Sequence, residues 1–164
     1  MANKIEESAT KIKALADAQK KVAEWKSKGE RVVFTNGCFD IIHMGHVDYL
    51  EKARNLGDHL VVGLNTDSSV SRFKGAERPI QDQKSRARVL ASFQFVDLVV
   101  FFDEDTPKDL ISSLAPDVLV KGSDYLAENI VGADVVKNAG GEVKTLDFIP
   151  GYSTSKVIEK IRKT

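Results

Sequence analysis

The chain has 164 residues, enough for one domain with a buried core, and its 42% apolar and 29% charged residues suit a globular protein. Lys and Arg balance Asp and Glu at 24 each, so bulk charge gives no basis for binding nucleic acid or an anionic membrane, and any basic site must be local. The one cysteine, Cys38, excludes an intramolecular disulfide and suits a reducing compartment, so the expectation is a cytoplasmic enzyme or binding domain.

The charged start, Met1-Ala2-Asn3-Lys4-Ile5-Glu6-Glu7, lacks the apolar region of a secretory signal. Residues 8–28 read as an amphipathic helix with Ile12, Leu15, Ala16, Val22 and Trp25 near one face, stopped by Gly29. Segments 31–36, 58–64, 97–101, 117–120 and 142–146 read as strands. Helical segments alternate with them at 46–55, 83–93, 107–114 and 131–139, and 153–162 closes the chain. The helix at 107–114 takes Asp105 or Thr106 as its cap and Pro107 in its first turn. The apolar run 98–102 is too short to cross a bilayer. The polar stretch 68–82, with Gly75 and Pro79, reads as a mobile loop.

This alternation predicts an α/β fold: a five-stranded parallel sheet with helices on both faces, in a single domain spanning 1–164 with 1–28 packed on it. Crossovers should be right-handed. Ligands in such folds bind beyond the carboxyl ends of the strands. The segments 35–46, 65–79, 121–125 and 147–155 all fall there.

The most informative of these is Thr35-Asn36-Gly37-Cys38-Phe39-Asp40-Ile41-Ile42-His43-Met44-Gly45-His46. It joins a strand to a helix whose N-terminus favours phosphate through its N–H groups and partial positive charge. His43 and His46 stand there, and Gly45 lets the backbone come close. The rival reading is a zinc site of Cys38, Asp40, His43 and His46. No second cluster of Cys or His supplies a clear partner, so no metal is assigned. Asp103-Glu104-Asp105 reads as a loop and helix start rather than a metal site.

The segment from Gly37 to His46 resembles the signature of the nucleotidyltransferase superfamily marked by a His-x-Gly-His motif. That superfamily includes glycerol-3-phosphate cytidylyltransferase and pantetheine-phosphate adenylyltransferase, and is similar to the catalytic domains of class I aminoacyl-tRNA synthetases. The stretches 32–40, 102–107, 120–125 (Val-Lys-Gly-Ser-Asp-Tyr), 131–136 and 151–155 (Gly-Tyr-Ser-Thr-Ser) together resemble the bacterial D-glycero-D-manno-heptose 1-phosphate adenylyltransferases. The likeness runs from about residue 8 to the C-terminus.

The resemblance implies a Rossmann-like domain that transfers AMP from ATP to heptose 1-phosphate, releasing pyrophosphate and giving ADP-heptose for lipopolysaccharide or another surface glycan. A cytidylyltransferase, or an adenylyltransferase for another phosphorylated acceptor such as glycerol 3-phosphate, is the alternative. A sugar 1-phosphate oxygen is already an anion, so attack on the α-phosphorus needs positioning and charge stabilisation rather than a strong base. A helix dipole contributes only ~0.3–2 kcal/mol. One well-placed donor contributes roughly 3–4 kcal/mol. The histidines and at least one Lys or Arg are therefore expected to do most of it.

On this likeness His43, His46 and Lys74 are the catalytic candidates. Thr35, Asn36, Gly37, Cys38, Phe39, Gly45, His46, Lys121, Gly122, Tyr152, Ser153, Thr154 and Ser155 are the nucleotide-binding candidates. Asp40, Asn65, Asp67, Arg78 and Asp124 are the candidates for contact with the acceptor. The segment Asn65-Thr66-Asp67 also suits an Asx turn or a helix cap, and Ser153 an N-cap. Arg86 resembles a functional arginine of the cytidylyltransferase branch and equally suits a surface helix charge. Gln94, and Phe148-Ile149-Pro150 before the Ser-Thr cluster, depart from that branch. Magnesium is expected to arrive with ATP, held by phosphate oxygens and water. The expected partners are a separate sugar kinase and further copies of the chain, as a dimer or tetramer.

Overall fold

In the computed structural model, which describes residues 7–164, the strands are β1 (Val32–Gly37), β2 (His59–Asn65), β3 (Leu98–Phe102), β4 (Val118–Gly122) and β5 (Glu142–Leu146). They form one all-parallel sheet in the order β3-β2-β1-β4-β5. Between and around them lie α1 (Leu15–Ser27), α2 (Met44–Arg54), α3 (Asp67–Lys74), α4 (Gln83–Ser92), α5 (Lys108–Leu114), α6 (Ala133–Asn138) and α7 (Thr154–Arg162).

The period of two along each strand sorts side chains to opposite faces. Val32, Phe34, Val61, Leu98, Val100 and Leu119 meet α1, α5 and α6 in one core. Val33, Leu60, Val62, Leu64, Val118 and Val120 meet α2 and α4 in the other. Both faces are covered, as the continuous apolar strands require.

The N-terminal reading needs correction. A 3-10 turn at Ser8–Lys11 is separated from α1 by an extended stretch, so 8–28 is not one helix. Ile12 forms a parallel bridge with Val99, and the Lys13 N–H donates to the Val99 carbonyl at 3.0 Å. The outer edge of β3 leaves backbone groups open, and residues 12–13 satisfy one of them. The face that α1 buries is Ala18, Val22 and Trp25; Leu15 and Ala16 are exposed.

The stretch 68–82 is not wholly irregular either, because its first half is α3. Thr66 caps that helix through its side chain, accepting from the Ser69 N–H. The Asp103 carboxylate accepts from the hydroxyls of Thr66 and Ser68, and Arg72 pairs with Asp103 and Asp105. Asp105 and Thr106 do not cap α5; Pro107 occupies its N-cap position. A 3-10 turn at Ala127–Asn129 lies ahead of α6, and a left-handed Gly132 replaces the first turn of the helix expected at 131–139.

The chain leaves β1 towards β2 and β3, then returns to the other side of β1 as β4. The carboxyl ends of β1 and β4 therefore diverge at the sheet centre, which is the switch point of this topology.

Candidate active site

A cavity of about 630 Å³ opens at these strand ends. Its floor is the loop after β1, with Asn36, Gly37, Cys38, Phe39 and Asp40 on the wall. The loop turns sharply at Phe39, whose φ of 44° is unusual for a residue with a side chain. That turn sets the Phe39 ring against the His46 ring, centroids 5.3 Å apart.

His43 takes the N-cap position of α2 without spending its side chain on a cap. Its ring stacks on that of His46 at 3.8 Å, and the Nδ1 atoms of both are buried without a hydrogen-bond partner. Gly45 is buried beneath them; a Cβ there would lie 3.0 Å from the His43 ring and 3.3 Å from Tyr152 Cβ. Burial pushes His43 down, and burial with the nearby charges of His43 and Lys74 pushes His46 down to about 4. Both are neutral at pH 7, donors and acceptors rather than cations. His46 lines the cavity, and His43 lies behind it as its stacking partner.

From β2 and the segment after it come Asn65, Phe73, Lys74 and Arg78. Asn65 is buried and donates to Ser69 Oγ at 3.0 Å. Lys74 is exposed on the last turn of α3, its Nζ 5.9 Å from the Phe73 ring centre. From β4 and its following loop come Lys121, Gly122 and Asp124. Lys121 donates to Asn36 Oδ1 at 3.1 Å and sits over the Tyr125 ring at 5.2 Å; burial pushes its pKa down, and Asp124 opposes the shift. Gly122 has no room for a side chain, since a Cβ would lie 2.1 Å from the Phe148 ring. From the last helix, Thr154 reaches the cavity while donating to the Ile41 carbonyl at 3.2 Å.

Several of the sequence candidates lie off the cavity wall. Thr35 is fully buried, donating to the Val120 carbonyl at 3.0 Å with its Oγ1 2.8 Å from Tyr49 Oη. Ser153 Oγ accepts from the Lys156 N–H and caps α7, with Tyr152 and Ser155 beside it. Asp67 pairs at 2.7 Å with Arg86. Arg86 is not a surface charge: it is fully buried and also donates to the carbonyls of Cys38 and Gln81. One guanidinium thus fixes the loop after β1, the start of α3 and the approach to α4.

Phe102, Asp105, Thr106 and Pro107 after β3, Asn129 to Val131 before α6, and Phe148 complete the wall. The stretches 102–107 and 131–136 carry part of the family likeness, but it singles out none of these residues as a site candidate. The rule that ligands sit beyond strand ends, applied to β3 as well, would have found the first group.

Two neutral histidines over a helix N-terminus, an exposed lysine on one side and a half-buried lysine on the other can cradle a polyphosphate and stabilise charge on a transferring phosphoryl group. Fold and site together define a nucleotidyltransferase-type α/β domain. A family model described as cytidylyltransferase-like matches residues 34–160. The bifunctional protein HldE of Methylobacillus flagellatus is 54% identical over 153 residues, 93% of this chain and 31% of its own length. That of Campylobacter jejuni subsp. doylei is 58% identical over 137 residues, 84% of this chain and 29% of its own. The chain thus spans about a third of the length of these curated relatives. The crystal structure of the lipopolysaccharide core biosynthesis protein from Thermoplasma volcanium superposes with a TM-score of 0.59 at 30% identity, over 74% of this chain and 98% of that one. Pantothenate synthetase from Thermus thermophilus, at 16% identity and a TM-score of 0.61 over 93% of this chain and 70% of that one, shares the fold. The chain belongs to the cytidylyltransferase-like family.

Proposed function

We propose that the protein transfers AMP from ATP to D-glycero-D-manno-heptose 1-phosphate, forming ADP-heptose and pyrophosphate for lipopolysaccharide or another surface glycan. The observation that carries this reading is the stacked pair of neutral imidazoles, His43 behind and His46 in front, with His46 meeting Lys74, Lys121 and Thr154 around one cavity. The substrate assignment rests on the motif likeness along the chain and on the 30% identical relative named for lipopolysaccharide core biosynthesis.

An oxygen of the sugar phosphate attacks the α-phosphorus in line as pyrophosphate leaves. His46, braced by His43, hydrogen-bonds the phosphoryl oxygens as their charge grows. Lys74 closes on the phosphates from the end of α3, and Lys121 and Asn36 hold the nucleotide from the β4 side. Thr154 and the N-terminus of α7 receive the triphosphate. Among the described residues no group of three or more His, Cys, Asp or Glu could hold a metal. Mg2+ would arrive with ATP, held largely by phosphate oxygens and water, and would offset phosphate charge there. No helix among the described residues is long and apolar enough to cross a membrane. The reading includes a cytoplasmic homo-oligomer and a sugar kinase that supplies the acceptor.

The test is a pyrophosphate-release assay crossing ATP and CTP with α- and β-heptose 1-phosphate, glycerol 3-phosphate and phosphopantetheine. ATP with a heptose 1-phosphate should be the preferred pair, and His43→Ala or His46→Ala should lower kcat by roughly 10²–10³-fold with little loss of stability. Preference for CTP, or for glycerol 3-phosphate, would move the assignment to the alternative acceptor and nucleotide. Full activity in both variants would sink the mechanism.

A further inference from the structure

Arg78 is held at one end of its guanidinium and left open at the other. Its Nε donates to Asp40 Oδ2 at 2.8 Å, the one hydrogen bond of this side chain among the described residues. Asp40 is 2% exposed. It also accepts the Ile80 N–H on both oxygens, at 3.0 and 2.8 Å, and the Gln81 N–H at 2.9 Å. Three N–H donors thus share its two oxygens, and it takes neither terminal nitrogen of Arg78. The Arg78 side chain is only 14% exposed, and its Nη2 is buried with no partner. The residue lines the cavity together with Cys38, His46 and Lys74.

A guanidinium does not shed its charge when buried. The ordinary outcome for such a group is full pairing, because an unmatched donor of a permanent cation is costly. A purely structural ion pair would use the fork of Arg78 against Asp40. Here Asp40 spends its oxygens on the backbone of residues 80–81 and engages only Nε, so it sets the direction of the guanidinium without neutralising its far side. A phosphate, with several acceptor oxygens and a matching planar approach, is the ligand that completes this arrangement.

We infer that Arg78, oriented by Asp40, is a phosphate anchor of the active site, engaging a substrate phosphate through its terminal nitrogens. The inference rests on the nucleotidyltransferase reading of the cavity. The phosphate has two sources in that reaction: the departing end of the triphosphate, or the monoester of the acceptor. Asp40 is a positioning residue, since it acts through Arg78.

The experiment uses the full chain and compares Arg78→Gln, Arg78→Lys and Asp40→Asn with the parent in steady-state kinetics, each substrate varied in turn. Arg78→Gln should raise the KM of one substrate roughly ten- to hundredfold, the worth of a charged hydrogen bond, with the other KM within about twofold. The substrate affected names the source of the phosphate. Arg78→Lys should recover part of the loss, and Asp40→Asn should move the same KM in the same direction. Unchanged KM values in Arg78→Gln would overturn the inference. So would a joint rise in both KM values and fall in melting temperature in Arg78→Lys, the mark of a merely structural residue. If the parent releases no pyrophosphate with any acceptor, the reaction assignment fails on its own. Calorimetric titration with pyrophosphate, with ATP and with a sugar 1-phosphate then decides: about tenfold weaker binding of one of them in Arg78→Gln supports the anchor, and equal affinities for all three reject it.

Discussion

His46 holds its unusual state because its ring is enclosed between His43 and Phe39. Burial comes first among the causes that push its pKa down to about 4, and the charges of His43 and Lys74 add to it. The folded value lies below the unfolded one of about 6.5. Between pH 6.5 and 4 the unfolded chain binds a proton that the folded chain refuses. Stability from this group therefore rises with pH through that window and is level above it. At one pKa unit per ~1.4 kcal/mol, the folded protein should be about 2 kcal/mol less stable at pH 5 than at pH 7 on this account. Denaturant midpoints at the two pH values should differ less in His46→Asn than in the parent. The slope left in the variant belongs partly to His43, which is shifted in the same direction by burial. An identical pH difference in both proteins would show that His46 does not titrate as its surroundings dictate. The same neutrality means that a bound polyphosphate must raise both imidazole pKa values, so nucleotide binding should be accompanied by proton uptake.

The elements differ in how far each could be read from its own residues. The strands were legible to within a residue or two, because Val-rich runs bounded by polar residues leave little choice when both faces are buried. Helix α3 was not. Asp67-Ser68-Ser69-Val70-Ser71-Arg72-Phe73-Lys74 has weak helix propensity, and its helix is imposed from outside by Asp103, Arg86 and the Thr66 cap. The start of α6 was hidden for the opposite reason: Val131-Gly132-Ala133 continues an apolar pattern, but Gly132 turns left-handed, with φ 86°. That turn leaves Val131 at the cavity and sends Ala133 and Val136 to the core, with Ile130 reaching both. A Cβ on Gly132 would lie 2.7 Å from Ile111 Cδ1, and Ile111 is fully buried. Gly132→Ala should therefore combine left-handed strain of about 1–2 kcal/mol with crowding of about 1–3 kcal/mol, lowering stability by about 2–5 kcal/mol. A shift of the urea midpoint equivalent to under about 0.5 kcal/mol would mean that the turn relaxes without cost.

At the scale of the whole molecule, the site belongs to no single segment. The histidine motif could be recognised along the chain because strand, loop and helix are contiguous from Val32 to Arg54. Phe102 and Thr106 at the end of β3, Asn129 after β4 and Phe148 after β5 are far apart along the chain; they become neighbours only when the sheet order brings these strand ends around one cavity. Arg86 was misjudged for the same reason, since its three partners lie 5, 19 and 48 residues away along the chain. A cavity walled by loops from both halves of the sheet makes the ligand a bridge between them. Nucleotide bound there should stabilise the fold as a unit. With MgATP at 100 times its dissociation constant, mass action gives about 2.7 kcal/mol. For a chain of this length that corresponds to a rise in melting temperature of roughly 5–10 °C. Amide exchange should slow most in α3 and at the start of α7, whose helices are exposed and held to the rest by few buried side chains. His46→Ala, with a weakened triphosphate site, should show a smaller rise than the parent at the same concentration. Equal rises in parent and variant, or slowed exchange confined to pocket-distant α1, would place nucleotide binding elsewhere on the molecule.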